Sequence, residues 1–139
     1  MPRLSAFADE ISPDPQVQMD TLEACGVKFI ELRGAYGLNV MKFSREQCVE
    51  LRKRFSDRGF GVSCIGSPIG KIRLDQDDRQ HFDDFKRAVD IAEFFGAGYI
   101  RIFSYYAPEG GNVADYRGEV IRRLQEQVDY VATHPVTLA

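Results

Sequence analysis

Short apolar runs alternate with amphipathic segments along the whole chain. Five runs have the length and composition of strands, and they cover residues 3–8, 27–33, 60–66, 99–104 and 136–138. Between them lie four segments in which apolar residues recur every three or four positions, as on one face of a helix. The pattern therefore predicts the order β-α-β-α-β-α-β-α-β, with a repeat of roughly 33 to 39 residues.

The boundaries of the predicted helices carry their own local signals. Asp14 suits the N-cap of the first helix, with Pro15 at its first helical position. Ser44 and Gln47 have the spacing of a capping box at the start of the second helix. The predicted buried stripes are Val17, Leu22 and Cys25 in the first helix, Cys48, Leu51 and Phe55 in the second, Phe82, Phe85, Val89 and Ala92 in the third, and Ile121, Leu124, Val128 and Val131 in the fourth.

Strict alternation of strands and helices implies parallel strands joined by right-handed crossovers. Two architectures fit this order: a doubly wound open sheet of five strands, and a (β/α)8 barrel, which typically needs ~250 residues. In the second strand, Ile30 and Leu32 face one side. Phe29, Glu31 and Arg33 face the other, whereas a sheet covered by helices on both faces would be apolar on both. We therefore predict an α/β fold of parallel (β/α) units forming roughly half of a TIM-type barrel, with about four βα units and the start of a fifth strand, in a single partial domain at 1–139.

The composition is that of an ordinary globular protein, with 44% hydrophobic and 28% charged residues among 139. A net charge of -3 gives no electrostatic footprint for nucleic acid or an anionic membrane. No secretory signal and no apolar run near the ~20 residues of a membrane helix are present, so the prediction is a soluble, cytoplasmic protein. The three cysteines, Cys25, Cys48 and Cys64, are predicted to be reduced and buried.

Four charged residues follow the predicted strands and are the main candidates for function. Glu31, Arg33, Lys71 and Arg101 lie at or just beyond carboxyl ends of strands, where barrel enzymes bind their substrates. An inward-facing charge costs free energy unless it is paired or solvated. Three cations and a carboxylate suit an anionic or polyhydroxylated ligand, with Glu31 accepting from a hydroxyl or moving a proton. The alternative is that Glu31 pairs with Arg101 across the lumen and only satisfies the interior.

The loop after the third strand, Ser67-Pro68-Ile69-Gly70-Lys71, is predicted to form a tight turn that aims Lys71 over the strand ends. It is one residue short of a phosphate-binding P-loop, and Ile72 replaces the hydroxyl residue that would hold magnesium. An ordinary loop lysine is the alternative.

Several other polar residues have two readings. Asp9 and Glu10 either face the same mouth or form a solvated loop pair, and Tyr36 and Asn39 either cover a sugar ring or lie in a surface loop. His81 and His134 have no partner spaced for a metal site or a catalytic pair, so we predict surface or helix-end histidines.

Four of these segments together resemble the xylose isomerase-like TIM barrels, a superfamily that includes sugar-phosphate isomerases and epimerases and class II AP endonucleases. They are Phe7-Ala8-Asp9-Glu10-Ile11, the second strand with its Glu-Leu-Arg, the Ser-Pro-Ile-Gly-Lys loop, and Tyr99-Ile100-Arg101-Ile102-Phe103-Ser104. The resemblance implies a divalent metal (Mn, Mg, Co or Zn) that polarises the sugar in the intact barrel. Because the family's metal ligands come mainly from strands five to eight, none is carried over to this sequence, and tight metal binding by this chain alone is not expected.

The resemblance implies the N-terminal half of a sugar or sugar-phosphate isomerase or epimerase, inactive by itself. Its catalytic candidate is Glu31, and its candidates for substrate binding are Arg33, Lys71, Arg101, Ser67 and Asn39. Open sheet edges predict pairing of two chains into a homodimer or higher oligomer. The alternative is a non-catalytic half-barrel that binds a sugar phosphate or another small anion. The acidic net charge disfavours a DNA-repair endonuclease.

Overall fold

The computed structural model describes residues 3–139. Its strands are β1 (Ser5–Ala6), β2 (Phe29–Leu32), β3 (Gly34–Ala35), β4 (Leu38–Asn39), β5 (Gly61–Ile65), β6 (Tyr99–Ile100) and β7 (Thr137–Leu138). Its α-helices are α1 (Pro15–Ala24), α2 (Arg45–Asp57), α3 (Asp78–Phe95) and α4 (Arg117–Val131). Short 3-10 helices cover Ala8–Glu10, Val40–Lys42 and Val113–Tyr116. Within residues 3–139, every helix is too short or too polar to cross a membrane.

Five strands form one parallel sheet in the order β1-β2-β5-β6-β7, and β3 and β4 form a separate antiparallel hairpin. The parallel strands lie in the order in which they occur in the chain, whereas a doubly wound sheet reverses direction at a switch point. With four helices between the strands, this is the arrangement of a partial TIM barrel, without closure. The predicted barrel architecture is confirmed.

The five strands of the parallel sheet are shorter than predicted, and at β6 the pairing with β5 stops soon after the strand. After β6, Arg101 still donates its backbone N–H to Ile65 O at 3.0 Å. On the β7 side Ile102 N donates to Ala139 O at 2.8 Å, and on the β5 side the next bond goes from Phe103 N to Ile69 O at 2.8 Å, within the turn after β5. The extension of β6 is therefore a loop that single hydrogen bonds hold to its neighbours. This places the side chains of the loop over the edge of the sheet.

The core lies between one face of the sheet and the helices. Ile30, Leu32, Ile65 and Ile100 from the strands are almost completely buried, as is Phe85 from α3. Ile30 is paired with Val62, and Leu32 with Ile65; the register shifts between Ile30 and Glu31, so Val62 and Ile65 are both buried although they are three positions apart. Burial of such side chains contributes about 1.5–3 kcal/mol each.

The predicted caps and two of the predicted stripes are confirmed. Asp14 accepts a hydrogen bond from Gln16 N at 2.8 Å, and Ser44 and Gln47 form the capping box. In α2 and α3 the predicted positions face the core, fully at Leu51, Phe55, Phe85, Val89 and Ala92, and partly at Cys48 and Phe82.

The predicted stripe of α1 is only partly confirmed: Leu22 is buried, but Met19 and the polar Gln18 occupy the interior in place of Val17 and Cys25. Gln18 is fully buried and its Nε2 donates to Ser12 O at 2.7 Å and to Gly34 O at 3.3 Å. Val17 is left 44% exposed, and Cys25 also faces solvent. The inner face of this helix thus combines the apolar Met19 and Leu22 with a glutamine that satisfies two carbonyl groups.

The stripe of α4 is also only partly confirmed: Val131 is buried and Leu124 is half-buried, as predicted. Arg123 and Gln127 are buried, while Ile121 and Val128 are 46% and 49% exposed. The Arg123 guanidinium donates to Leu74 O at 2.8 Å, in the loop before α3. Arg123, which binds the loop before α3, therefore lies on the buried face of the helix.

The cysteines in the described part of the chain are free, as predicted, but they are not all buried. Cys25 is exposed, whereas Cys48 and Cys64 are half-buried. Burial raises the pKa of the Cys48 and Cys64 thiols. Both are therefore held in the neutral thiol form.

Candidate functional site

Three of the predicted site cations lie side by side where β2, β5 and β6 end. The Arg33 guanidinium lies 4.8 Å from the centroid of the Phe7 ring, and Arg101 lies 5.2 Å from the same ring. Arg101 is also 4.9 Å from the Phe103 ring, and Lys71 Nζ is 4.5 Å from that ring. We call these five residues, Arg33, Phe7, Arg101, Phe103 and Lys71, the rim row. Cations and aromatic faces alternate along it.

Gly66, directly after β5, allows the rim row to form. A Cβ atom at Gly66 would lie 2.9 Å from Arg33 Cβ and 3.1 Å from the Phe7 ring. Only glycine leaves room for both side chains to cross the end of this strand.

Arg33 is neutralised by the carboxylates that follow β1. Its Nε donates to Asp9 at 2.8 Å and its Nη2 donates to Glu10 at 3.1 Å. The hydrogen bond to Asp9 is the main cause of the raised pKa of Arg33. Asp9 and Glu10 therefore face the mouth, which is the first of the two readings that the sequence left open.

Arg101 is held by carbonyl groups and not by a carboxylate. Its Nη2 donates to Gly66 O and Ser67 O, both at 3.1 Å, and its buried Nε has no hydrogen-bond partner in the described chain. The predicted alternative, an ion pair between Glu31 and Arg101, does not form. Across residues 3–139, Glu31 makes neither a salt bridge nor a hydrogen bond through its side chain; it is half-buried beside Cys64 of β5.

Two other predicted substrate contacts are partly used by the protein itself. Ser67 is fully buried; its hydroxyl donates to Arg101 O at 2.5 Å and accepts from Ile69 N at 3.3 Å, so this structure gives it a structural role. Asn39 Oδ1 accepts from Met41 N at 3.0 Å. Asn39 also lines two neighbouring cavities of about 310 and 490 Å³.

The predicted tight turn before Lys71 is present and is closely packed. Lys71 N donates to Pro68 O at 2.9 Å, and Gly70 has a φ of +84°. A Cβ atom at Gly70 would lie 1.8 Å from Phe103 O, so no other residue fits. The turn thereby fixes Lys71 against the Phe103 ring.

His81 lies near the start of α3, in line with the helix-end alternative, but it is not a surface residue, since it is only 7% exposed. Its Nε2 accepts the Gly70 N–H at 2.8 Å, so the histidine fixes the turn that precedes Lys71. Burial lowers the pKa of His81. Its spacing of four residues from Phe85 was the signal that could have placed it on the buried face. His134 lies near the end of α4, as predicted, with Nδ1 2.6 Å from Glu93.

The described residues do not fit a metal ion. Between residues 3 and 139 there is no group of three or more His, Cys, Asp or Glu side chains that could hold one.

Comparison with known proteins identifies the family. A family model described as xylose isomerase-like TIM barrel matches residues 19–139. The chain therefore belongs to the xylose isomerase-like TIM barrel family. A search of curated proteins found no match.

Solved structures share the fold at low sequence identity. A xylose isomerase-like TIM barrel protein from Mycobacterium smegmatis, in complex with magnesium, is 19% identical, with a TM-score of 0.73 over 99% of this chain and 53% of that chain. An IOLI protein with a bound zinc atom is 15% identical, with a TM-score of 0.73 over 97% of this chain and 50% of that chain. D-psicose 3-epimerase in the presence of D-fructose is 16% identical, with a TM-score of 0.63 over 86% of this chain and 44% of that chain. The chain thus spans about half the length of these structures, two of which contain a divalent metal.

Proposed function

We propose that this chain supplies the substrate-binding wall of a sugar or sugar-phosphate isomerase or epimerase. In this proposal Arg33, Lys71 and Arg101 bind the sugar or its phosphate, and Glu31 moves the proton between adjacent sugar carbons. The observation that carries the proposal is the rim row, in which three cations are held together at the carboxyl ends of neighbouring strands.

The electrostatics of the rim row favour an anionic ligand. Arg33 is balanced by Asp9 and Glu10, whereas Arg101 and Lys71 make no salt bridge to any described residue. Cation–ring contacts are worth ~0.5–2 kcal/mol each and orient the cations, but they do not neutralise them. An uncompensated pair of cations therefore remains, which a phosphate or a developing oxyanion would neutralise.

Glu31 is suited to proton transfer by its surroundings. It is half-buried on the same side of β2 as Arg33, and its oxygens are not used by any residue in the range 3–139. A carboxylate with free lone pairs can accept a hydrogen bond from a sugar hydroxyl or take up a proton from carbon. A divalent cation in this family would polarise the sugar carbonyl. The described residues do not form its ligand set, so the role of Glu31 is argued from its own position alone.

The complete activity needs the other half of a barrel, since the chain spans about half the length of related structures. We propose that a second copy of the chain supplies it by pairing at the β1 and β7 edges of the sheet. Sedimentation at micromolar concentration tests this, and a strictly monomeric mass would contradict it.

A second candidate function is a binding module without catalysis. It is favoured by the lack of a metal-binding group among residues 3–139. Such a module would use the rim row to hold a sugar phosphate and would leave it unchanged.

Isomerisation assays separate the two functions. The purified chain is incubated with Mn²⁺ or Mg²⁺ and a panel of ketoses and aldoses, with and without a phosphate group. The test variant is Glu31→Gln, and the control is Glu109→Gln, whose side chain is 95% exposed. Turnover that is lost only in Glu31→Gln supports the isomerase or epimerase. Equal turnover in both variants contradicts the role of Glu31, and saturable binding without turnover supports the binding module.

A further inference from the structure

A second cavity lies beside the rim row, between the 3-10 helix Val40–Lys42, the turn after β5 and the first turns of α3. Its volume is about 490 Å³, within the range of ~300–1,000 Å³ that is usual for small-molecule sites. Its lining is apolar at Met41, Pro68, Ile69 and Ile72 and polar at Asn39, Lys42, Lys71, His81 and Asp84. The polar groups decide what the cavity can bind.

His81 contributes a hydrogen-bond donor to this cavity. Because Nε2 accepts the Gly70 N–H, the neutral imidazole carries its proton on Nδ1. No acceptor for Nδ1–H is present within residues 3–139, and the ring lines the cavity. A donor on a side chain that is only 7% exposed is therefore left for a ligand.

The other polar groups are also mostly donors. Asn39 uses its carbonyl oxygen for Met41 N, which leaves its amide NH₂ group for the cavity. Lys42 and Lys71 make no salt bridge with the described part of the chain. Asp84 is the one carboxylate among the lining residues. Donors and positive charge are thus in excess.

The start of α3 does not account for this excess. Its first backbone N–H groups are taken by the Asp77 side chain, which accepts from Arg79 N at 3.0 Å and from Gln80 N at 3.2 Å. The binding potential therefore comes from side chains of three separate segments.

We propose that this cavity binds the phosphate or carboxylate group of a small molecule. His81 and Asn39 donate hydrogen bonds to the anion, and Lys42 and Lys71 balance its charge. Lys71 belongs both to the cavity and to the rim row, so the anion is either the distal group of the sugar or a separate small molecule. Glu31 takes no part, and the site can exist whether or not the chain catalyses isomerisation.

Titration with inorganic phosphate tests the site. Chloride is added to hold the ionic strength constant. Binding is followed by calorimetry and by the NMR signals of the His81 ring. We expect saturable binding that is weakened at least about tenfold in Lys42→Met, since a charged hydrogen-bond donor is lost. The control is Lys53→Met, which removes the same charge from α2, where Lys53 pairs with Asp57 at 2.5 Å. No saturation, or equal affinity in the two variants, would overturn the proposal.

A hexose 6-phosphate and the unphosphorylated hexose separate the two sources of the anion. Tighter binding of the hexose phosphate than of phosphate, weakened by Arg101→Met, supports the distal group of the sugar. Equal binding of hexose phosphate and phosphate, unaffected by Arg101→Met, supports a separate small anion. Equal binding of both hexoses, unaffected by Lys42→Met, counts against the site. Absence of turnover with phosphate binding intact contradicts the isomerase function only.

Discussion

Replacing His81 with phenylalanine removes the acceptor of the Gly70 N–H while keeping an aromatic ring of similar shape. The hydrogen bond is buried and 2.8 Å long, and nothing else in residues 3–139 accepts from this N–H. An unsatisfied buried donor costs ~1–3 kcal/mol, and the retained ring limits any further loss from packing. We expect the free energy of unfolding of His81→Phe to fall by ~1–3 kcal/mol at pH 8, measured by urea denaturation.

The same variant changes how stability depends on pH. Burial lowers the pKa of His81 below its ordinary value of 6.5; Arg123 acts in the same direction, and Asp84 and Asp78 oppose it. As pH falls below about 6.5, the unfolded chain takes up the proton before the folded chain does. The contribution of His81 is therefore complete above pH 6.5 and decreases as pH falls toward the lower pKa of the folded state.

His134→Phe is the matched control, because the sequence contains only 2 histidines. Urea denaturation of both variants is repeated from pH 8 to pH 5. We expect the loss of stability below pH 6.5 to be smaller in His81→Phe than in the wild type and to persist in His134→Phe. An unchanged pH dependence in His81→Phe would refute the buried, neutral state of this histidine.

Three further changes test other parts of the structure. Gly70→Ala should destabilise the chain by more than the ~1–2 kcal/mol of a left-handed residue, because its Cβ would meet Phe103 O, and thermal unfolding measures this. Ser44→Ala removes the capping box with Gln47 and should cost ~1 kcal/mol in urea denaturation; a change below about 0.3 kcal/mol would contradict the cap. Two arginines of α4 lower the pKa of Glu119 from 4.5 to about 2, so its stabilising effect is complete above pH 4.5 and decreases as pH falls toward 2. The stability of Glu119→Gln should therefore fall less steeply with decreasing pH in this range than that of the wild type. Circular dichroism follows the acid unfolding of both proteins, and identical transitions would argue against a stabilising role of the Glu119 carboxylate.

The features that the sequence predicts well are those set by neighbouring residues. Ser44 and Gln47 are three positions apart and form their capping box without help from the rest of the fold. The alternation of Ile30 and Leu32 with Glu31 and Arg33 is equally local. It was the observation that favoured a barrel over a doubly wound sheet. These patterns depend on backbone geometry alone, so they can be read from the chain.

The features that the sequence did not predict depend on contacts between distant segments. Gln18 and Arg123 turn inward because carbonyl groups elsewhere need donors, and no periodicity of apolar residues reveals that need. The stacking of Phe7 between Arg33 and Arg101 joins three strands across about a hundred residues of sequence. The sequence thus predicted which cations lie at the mouth but not the aromatic rings that hold them in place.

The affinity of a sugar phosphate for Arg101→Met and Arg52→Met tests the central claim most directly. Both arginines stack on a phenylalanine ring at 4.9 Å, but Arg52 does so on α2, away from the rim row. Calorimetry should show binding weakened at least about tenfold in Arg101→Met and unchanged in Arg52→Met. Equal affinity in the two variants would contradict the claim that the rim row binds the substrate.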